Sequence, residues 1–136
     1  MSAIDTRLKL SALWLFFLVN IIFRDLHQLL SPGYIDWVIA GDMFGMEITD
    51  EILLFGGIAV EVMLLMVLAP QFLPRRALRV INLIAALFTG ALILFTPPID
   101  PDDVFFLIIC LTSLAVAVWF GWTRLAPSAE SVILRQ

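Results

Sequence analysis

The chain has 136 residues, of which 62% are hydrophobic and 15% charged, with a formal net charge of −4 and a mean hydropathy of +1.04. That composition excludes an ordinary soluble domain, which needs far more polar surface, and places the chain among membrane proteins. Its acidic balance argues against nucleic acid as a partner, and a single cysteine (Cys110) and a single histidine (His27) exclude an intramolecular disulfide, a Cys-x-x-Cys site and bis-histidine haem within one chain.

Four apolar spans can be read, at about residues 8–30, 50–70, 77–96 and 103–123, each near the length a helix needs to cross a bilayer. In the first, the uncharged part from Leu10 to Phe23 is fourteen residues long and follows Arg7 and Lys9, a length that also fits a signal-peptide core. It runs into Arg24-Asp25 without a small-x-small cleavage pattern, and three more spans follow, so it is read as a retained helix. Asn20, Arg24 and His27 fall at i, i+4 and i+7 on one face of it, and Asp25 and Gln28 form a neighbouring i, i+3 pair.

The first outer loop, Ser31 to Ile48, has eighteen residues and exceeds what a bundle turn requires. Ser31-Pro32-Gly33 breaks the first helix. Tyr34, Trp37, Val38 and Ile39 then suit a short amphipathic helix lying in the outer interface, a surface anchor in preference to a lid, and Gly41 and Gly45 supply turns.

Thr49 is the expected cap of the second long helix, with Asp50 and Glu51 at the positive end of its dipole. Between Ile52 and Pro74 there is one charge, Glu61. A charged side chain near the bilayer centre costs about 2.5–3.5 kcal/mol even on insertion scales, so Glu61 is expected to face the bundle interior and to have a partner or a task there. Gly57, one turn away on the same face, would let a neighbouring backbone approach beside the carboxylate.

Pro74 ends that helical region, and Arg79-x-x-Asn82 enters the third span, where Ala86 and Gly90 form a small-xxx-small pair. Pro97, Pro98 and Pro101 stiffen the second outer loop. Asp102 or Asp103 is expected to cap the fourth helix, and Asp100, Asp102 and Asp103 together read as a solvated cap in preference to a divalent-cation site. On the fourth span Ser113, Ala117 and Gly121 repeat the small-residue spacing, and Trp14, Trp119 and Trp122 mark the inner half and interface. Arg7, Lys9, Arg75, Arg76, Arg79, Arg124 and Arg135 lie on one side and Arg24 alone on the other, which predicts both termini in the cytoplasm of a bacterial inner membrane.

Depth follows from a rise of about 1.5 Å per residue. It puts Glu61 and Asn20 at comparable levels, with Thr89, Thr112 and Ser113 close by. Every helix then contributes a polar group near the midplane, and Arg24 is the one basic side chain within reach of Glu61. The layer reads either as a structural lock, through a Glu61–Arg24 pair or a protonated Glu61 bonded to Asn20 or Thr89, or as a proton- or cation-binding site. His27 beside Asp25 reads as a base at the outer mouth or as an imidazole bonded to water or a carbonyl.

Phe23-x-Asp25, Pro32-Gly33, Thr49, Glu61 and Arg79-x-x-Asn82 resemble the pattern of a family of small bacterial four-helix membrane proteins defined only as a domain of unknown function. The resemblance spans Leu10 to about Trp122, and the size and layout are also broadly similar to DoxX-type proteins. The first likeness implies a four-helix membrane fold and no assigned activity. The second would imply a quinone-linked or redox-associated membrane subunit. The Pro- and Asp-rich second outer loop and Arg24 beside Asp25 depart from the pattern.

The expectation is an all-α integral membrane protein, an antiparallel four-transmembrane-helix bundle with a short interfacial helix in the first outer loop. Its expected role is to bind or conduct a proton, ion or small solute through Glu61, with Asn20, Arg24, Asp25, His27, Thr89 and Thr112 as further ligand or ion-binding candidates and Thr49, Arg79 and Asn82 as structural or entry residues. The alternative is an accessory or assembly subunit of a larger complex, and an enzyme at the outer mouth is the least favoured reading. No cofactor or metal is expected. The expected partners are membrane lipids and either further copies of the chain or subunits of a larger membrane complex.

Overall fold

The computed structural model describes residues 3–43, 45–96, 98 and 100–125, so Arg135 and Pro97 lie outside the described residues. Helix α1 runs Ala3–Leu30 and begins ahead of the apolar span. Polar residues hold its first turns in register: Lys9 Nζ pairs with Asp5 at 3.3 Å, an i, i+4 pair, and Arg7 donates to the Pro70 carbonyl at 2.6 Å. Gly33, with φ of 80°, breaks the chain away, and α2 follows at Tyr34–Ile39 with Tyr34 turned inward and Trp37 exposed. Beyond it β1 (Asp42–Met43) and β2 (Met46–Glu47) pair antiparallel, a minimal hairpin not expected from the sequence. The left-handed Gly45 makes its turn, and the Gly45 N–H donates to Asp42 Oδ1 at 2.8 Å.

Helix α3 is Asp50–Phe72, and its cap is Thr49, whose Oγ1 accepts from the Ile52 N–H at 3.4 Å. Pro74, extended, precedes α4 at Arg75–Phe95. Helix α5 is Pro101–Arg124, and here the expected cap is corrected. Asp100 caps it, accepting from the Asp103 N–H at 3.0 Å, with Pro101 as the first helical residue. Asp102 and Asp103 already lie inside the first turn, so Asp100 is the one that stands in extended backbone with its oxygen over the free N–H groups.

The four long helices form a ring in which α1 packs on α3 and α5, and α4 closes the circle against those same two helices. Each of the four is long and apolar enough to cross a membrane. Their shared core is Leu10, Trp14, Phe17, Met63, Met66, Leu78, Ala85, Cys110, Leu114 and Ala117. The small residues of α5 work as expected: Ser113, Ala117 and Gly121 are buried, and a Cβ on Gly121 would meet Asn82 Nδ2 at 2.7 Å. Trp14 is not an interface marker but a core residue with no exposed surface.

Candidate functional site

Three polar features are set into this apolar frame: two buried networks and one outward carboxylate. The first network joins the C-terminal end of α1 to the N-terminal end of α5. Arg24 Nε donates to Asp103 Oδ1 and Arg24 Nη2 to Asp103 Oδ2 at 3.3 Å, while Gln28 Nε2 donates to the same Oδ2 at 3.1 Å. Arg24 keeps 4% of its surface exposed and Asp103 2%. Arg24 also reaches the Thr96 carbonyl at 3.4 Å, and the Ser31 hydroxyl donates to Asp100 Oδ2 at 2.9 Å. The charge of Arg24 is therefore neutralised within the helix bundle, by a carboxylate expected from its sequence context to sit in a solvated cap.

The signal for this network is present in the sequence. Arg24 and Gln28 stand at i and i+4 on one stripe of α1, and Ser31, at i+7, follows directly after its last residue. The expected stripe, through Asn20, Arg24 and His27, does not act together. Asn20 is half-buried and donates to its own helix at Phe16 O, 2.8 Å away. His27 is exposed, with Nδ1 2.9 Å from Phe23 O and its ring 5.2 Å from that of Phe106. Asp25 is exposed as well, and at about 100° per residue it projects from nearly the opposite side of α1 to His27, so the two build no common mouth. Just outside the membrane span, burial raises the Tyr34 phenol pKa, and the nearby charges of Asp25 and Asp103 add to the effect. At the start of α5 the Asp103 N–H and the Ser31 hydroxyl hold the Asp100 carboxyl below its ordinary range.

The second network lies toward the other membrane face. Trp14 Nε1–H donates to Asn82 Oδ1 at 2.8 Å, and Asn82 Nδ2 donates to the Ala117 carbonyl at 3.0 Å, tying α1, α4 and α5 together. Arg79 sits with its guanidinium 3.6 Å from the centre of the Trp122 ring. The Arg79-x-x-Asn82 pair thus serves two neighbouring contacts of α4 on α5. Among the described residues, Arg79 Nε and Thr89 Oγ1 are buried side-chain atoms without a hydrogen-bond partner.

Glu61 occupies neither network, which overturns the expected interior carboxylate. It is exposed, and neither Arg24 nor Asn20 bonds to it. The buried residues of α3 are Ala59, Met63, Met66 and Pro70, and position 61 falls on the opposite side of the helix. The cause is packing: from Ile52 to Pro70 α3 is apolar all round apart from Glu61, and the stripe that fits α1 and α4 is the one with alanine, two methionines and the proline. The expected midplane layer does not converge either. Thr89 is fully buried, Thr112 is exposed, and Ser113 bonds back to Ile109 O at 2.7 Å. Gly57 shares the outward face with Glu61, and nothing lies within 4 Å of where its Cβ would be. Among the described residues no group of three or more histidines, cysteines or carboxylates is arranged to hold a metal ion.

Four apolar helices around closed hydrogen-bonded networks define a multi-pass membrane protein of the four-helix type. The chain belongs to the family of unknown function DUF6326, whose model matches residues 4–124 and so takes in all four long helices except the first residue of α1. No curated protein and no solved structure matches it.

Proposed function

We propose that the protein is a small subunit of a membrane assembly, with both termini in the cytoplasm and Glu61 as a proton-binding carboxyl at its contact face. The observation that carries this reading is the place of Glu61, at the midpoint of α3 on its outward side. Position 61 is 11 residues from Asp50 and 11 from Phe72 (61 − 50 and 72 − 61). That is about 16 Å of helix in either direction, beyond the reach of a glutamate side chain toward water. An ionised carboxylate facing hydrocarbon there is strongly disfavoured, so the position calls for a covering partner. A neutral carboxyl both donates and accepts, which suits it to bond across a helix contact and to release its proton when the contact changes.

A solute path inside one chain has no comparable support. The interior is occupied by Trp14, Asn82, Arg24, Asp103 and Gln28, which bond to one another and to backbone carbonyls. The basic groups of the helices next to α3 are bonded to groups other than Glu61 or stand at the start of α4. Arg7 bonds to Pro70 O, Lys9 to Asp5, and Arg24 to Asp103, while Arg75, Arg76 and Arg79 open α4 at the membrane face. The basic residues at that face agree with a cytoplasmic placement of both termini.

A hydrophobic carbodiimide, which modifies protonated carboxyls in apolar surroundings, tests the reading in membranes containing the intact protein. Glu61 should be the principal adduct, its labelling should fall as pH is raised, and Glu61→Gln should remove it. Labelling of Glu61 no faster than that of the outer-loop Asp36 and Glu47 would overturn the assignment.

A further inference from the structure

We propose that the partner covering Glu61 is a second copy of this chain, docked through α3 about a two-fold axis along the membrane normal. The inference rests on the assembly reading and adds the identity of the partner. Leu54, Gly57, Glu61, Leu64 and Leu68 follow one another at spacings of three and four, all exposed, on the side of α3 opposite Ala59, Met63, Met66 and Pro70. A three–four repeat is the seam of a left-handed helix pair, in which the same face of two parallel helices meets along its length. Of the four spanning helices α3 is the least buried in the single chain, and its outward seam has no covering element among the described residues.

Two copies inserted in the same orientation present each residue at the same depth, so a two-fold sets Glu61 against Glu61. That arrangement supplies what the midplane position demands. A carboxyl is complementary to itself: a protonated one donates to its partner, and two close carboxylates cannot both ionise. Gly57, one turn toward the outer side with open space around it, allows the two backbones to approach there and brings the side chains at 61 together. A single polar residue in an otherwise apolar seam also selects register, because any slip leaves both carboxyls facing lipid.

Single cysteines placed along α3 in a Cys110→Ala background, oxidised in membranes, test the geometry. Leu54→Cys, Gly57→Cys, Leu64→Cys and Leu68→Cys should give disulfide-linked dimers, with weak linkage at the flanking Leu53 and Ile58 and none at Leu87 of α4 or Ile108 of α5. In detergent, sedimentation of the otherwise native chain should show that Glu61→Gln, which keeps a self-complementary polar group, still dimerises. Glu61→Leu should weaken the dimer about tenfold. Monomer at every α3 position overturns the proposal, as does linkage at Leu87→Cys of α4 or Ile108→Cys of α5 in place of the α3 positions. If Glu61 reacts with carbodiimide and no α3–α3 link forms, another protein covers it, and the self-association fails while the assembly reading stands. Links formed with an inert Glu61 would uphold the two-fold contact and remove the proton-binding role.

Discussion

Arg24 of α1 and Asp103 of α5, 79 positions apart in the chain, form the buried ion pair that fastens one end of the bundle. Gln28 bonds to the same carboxylate, so its two oxygens accept three N–H groups from one stripe of α1. Removing one charge strands the other. Asp103→Ala should therefore destabilise the protein by about 3–5 kcal/mol, seen as a large fall in the thermal midpoint in detergent. Replacing both, with Arg24→Met and Asp103→Leu, should recover most of that loss, because the penalty lies in the unpaired charge. A double variant no better than Asp103→Ala would refute this account.

Gly121 is the second point where the bundle should prove intolerant. A methyl group at this position would stand 2.7 Å from Asn82 Nδ2 and 3.4 Å from Asn82 Cγ, while that amide is held by Trp14 and the Ala117 carbonyl. Gly121→Ala should cost about 1–3 kcal/mol through the displaced hydrogen bonds. The change would be accompanied by a shift in tryptophan emission as Trp14 loses its acceptor. Gly57→Ala meets nothing in the chain and should leave the melting of the isolated protomer unchanged or raise it by up to about 1 kcal/mol through helix propensity.

Substitution of Glu61 separates its role from that of Asp103. Because it is exposed on the outward side of its own protomer, Glu61→Gln should change monomer stability by less than about 0.5 kcal/mol, as for a surface position. The measurement is thermal unfolding at a detergent-to-protein ratio that keeps the chain monomeric. A drop as large as that of Asp103→Ala would return Glu61 to the bundle interior.

Acid should loosen the start of α5. The Asp103 N–H, then the Ser31 hydroxyl, lower the Asp100 pKa in the folded state. A depressed carboxylate stabilises the fold above its unfolded pKa of about 4, and that contribution disappears as pH falls through the folded value. Melting followed downward from pH 5 should therefore show a decline that Asp100→Asn reduces. Above that range the two proteins should run parallel.

Features that run along one helix at a time are legible in the sequence. The four spans, the Thr49 cap, the turn glycines and the short helix α2 each depend on local hydropathy or on a backbone angle, and each is present in the structure. Pairings between helices are legible where a residue type admits few solutions, as with Gly121 and Ala117 at a close helix contact. The Arg24 partner is not, because Asp103 belongs to a first turn that looks solvated when taken alone. It becomes interior only when α5 lies against the Arg24–Gln28 stripe of α1.

Glu61 marks the division most clearly. Its depth is a property of sequence alone, since it follows from the rise per residue within a run bounded by Asp50 and Phe72. Its direction is a property of the tertiary structure. Almost every face of α3 is apolar, so no hydrophobic pattern chooses an inward side, and rotation is decided by which stripe packs closest against α1 and α4. Ala59, Met63, Met66 and Pro70 win that contest, and the carboxyl is left facing outward.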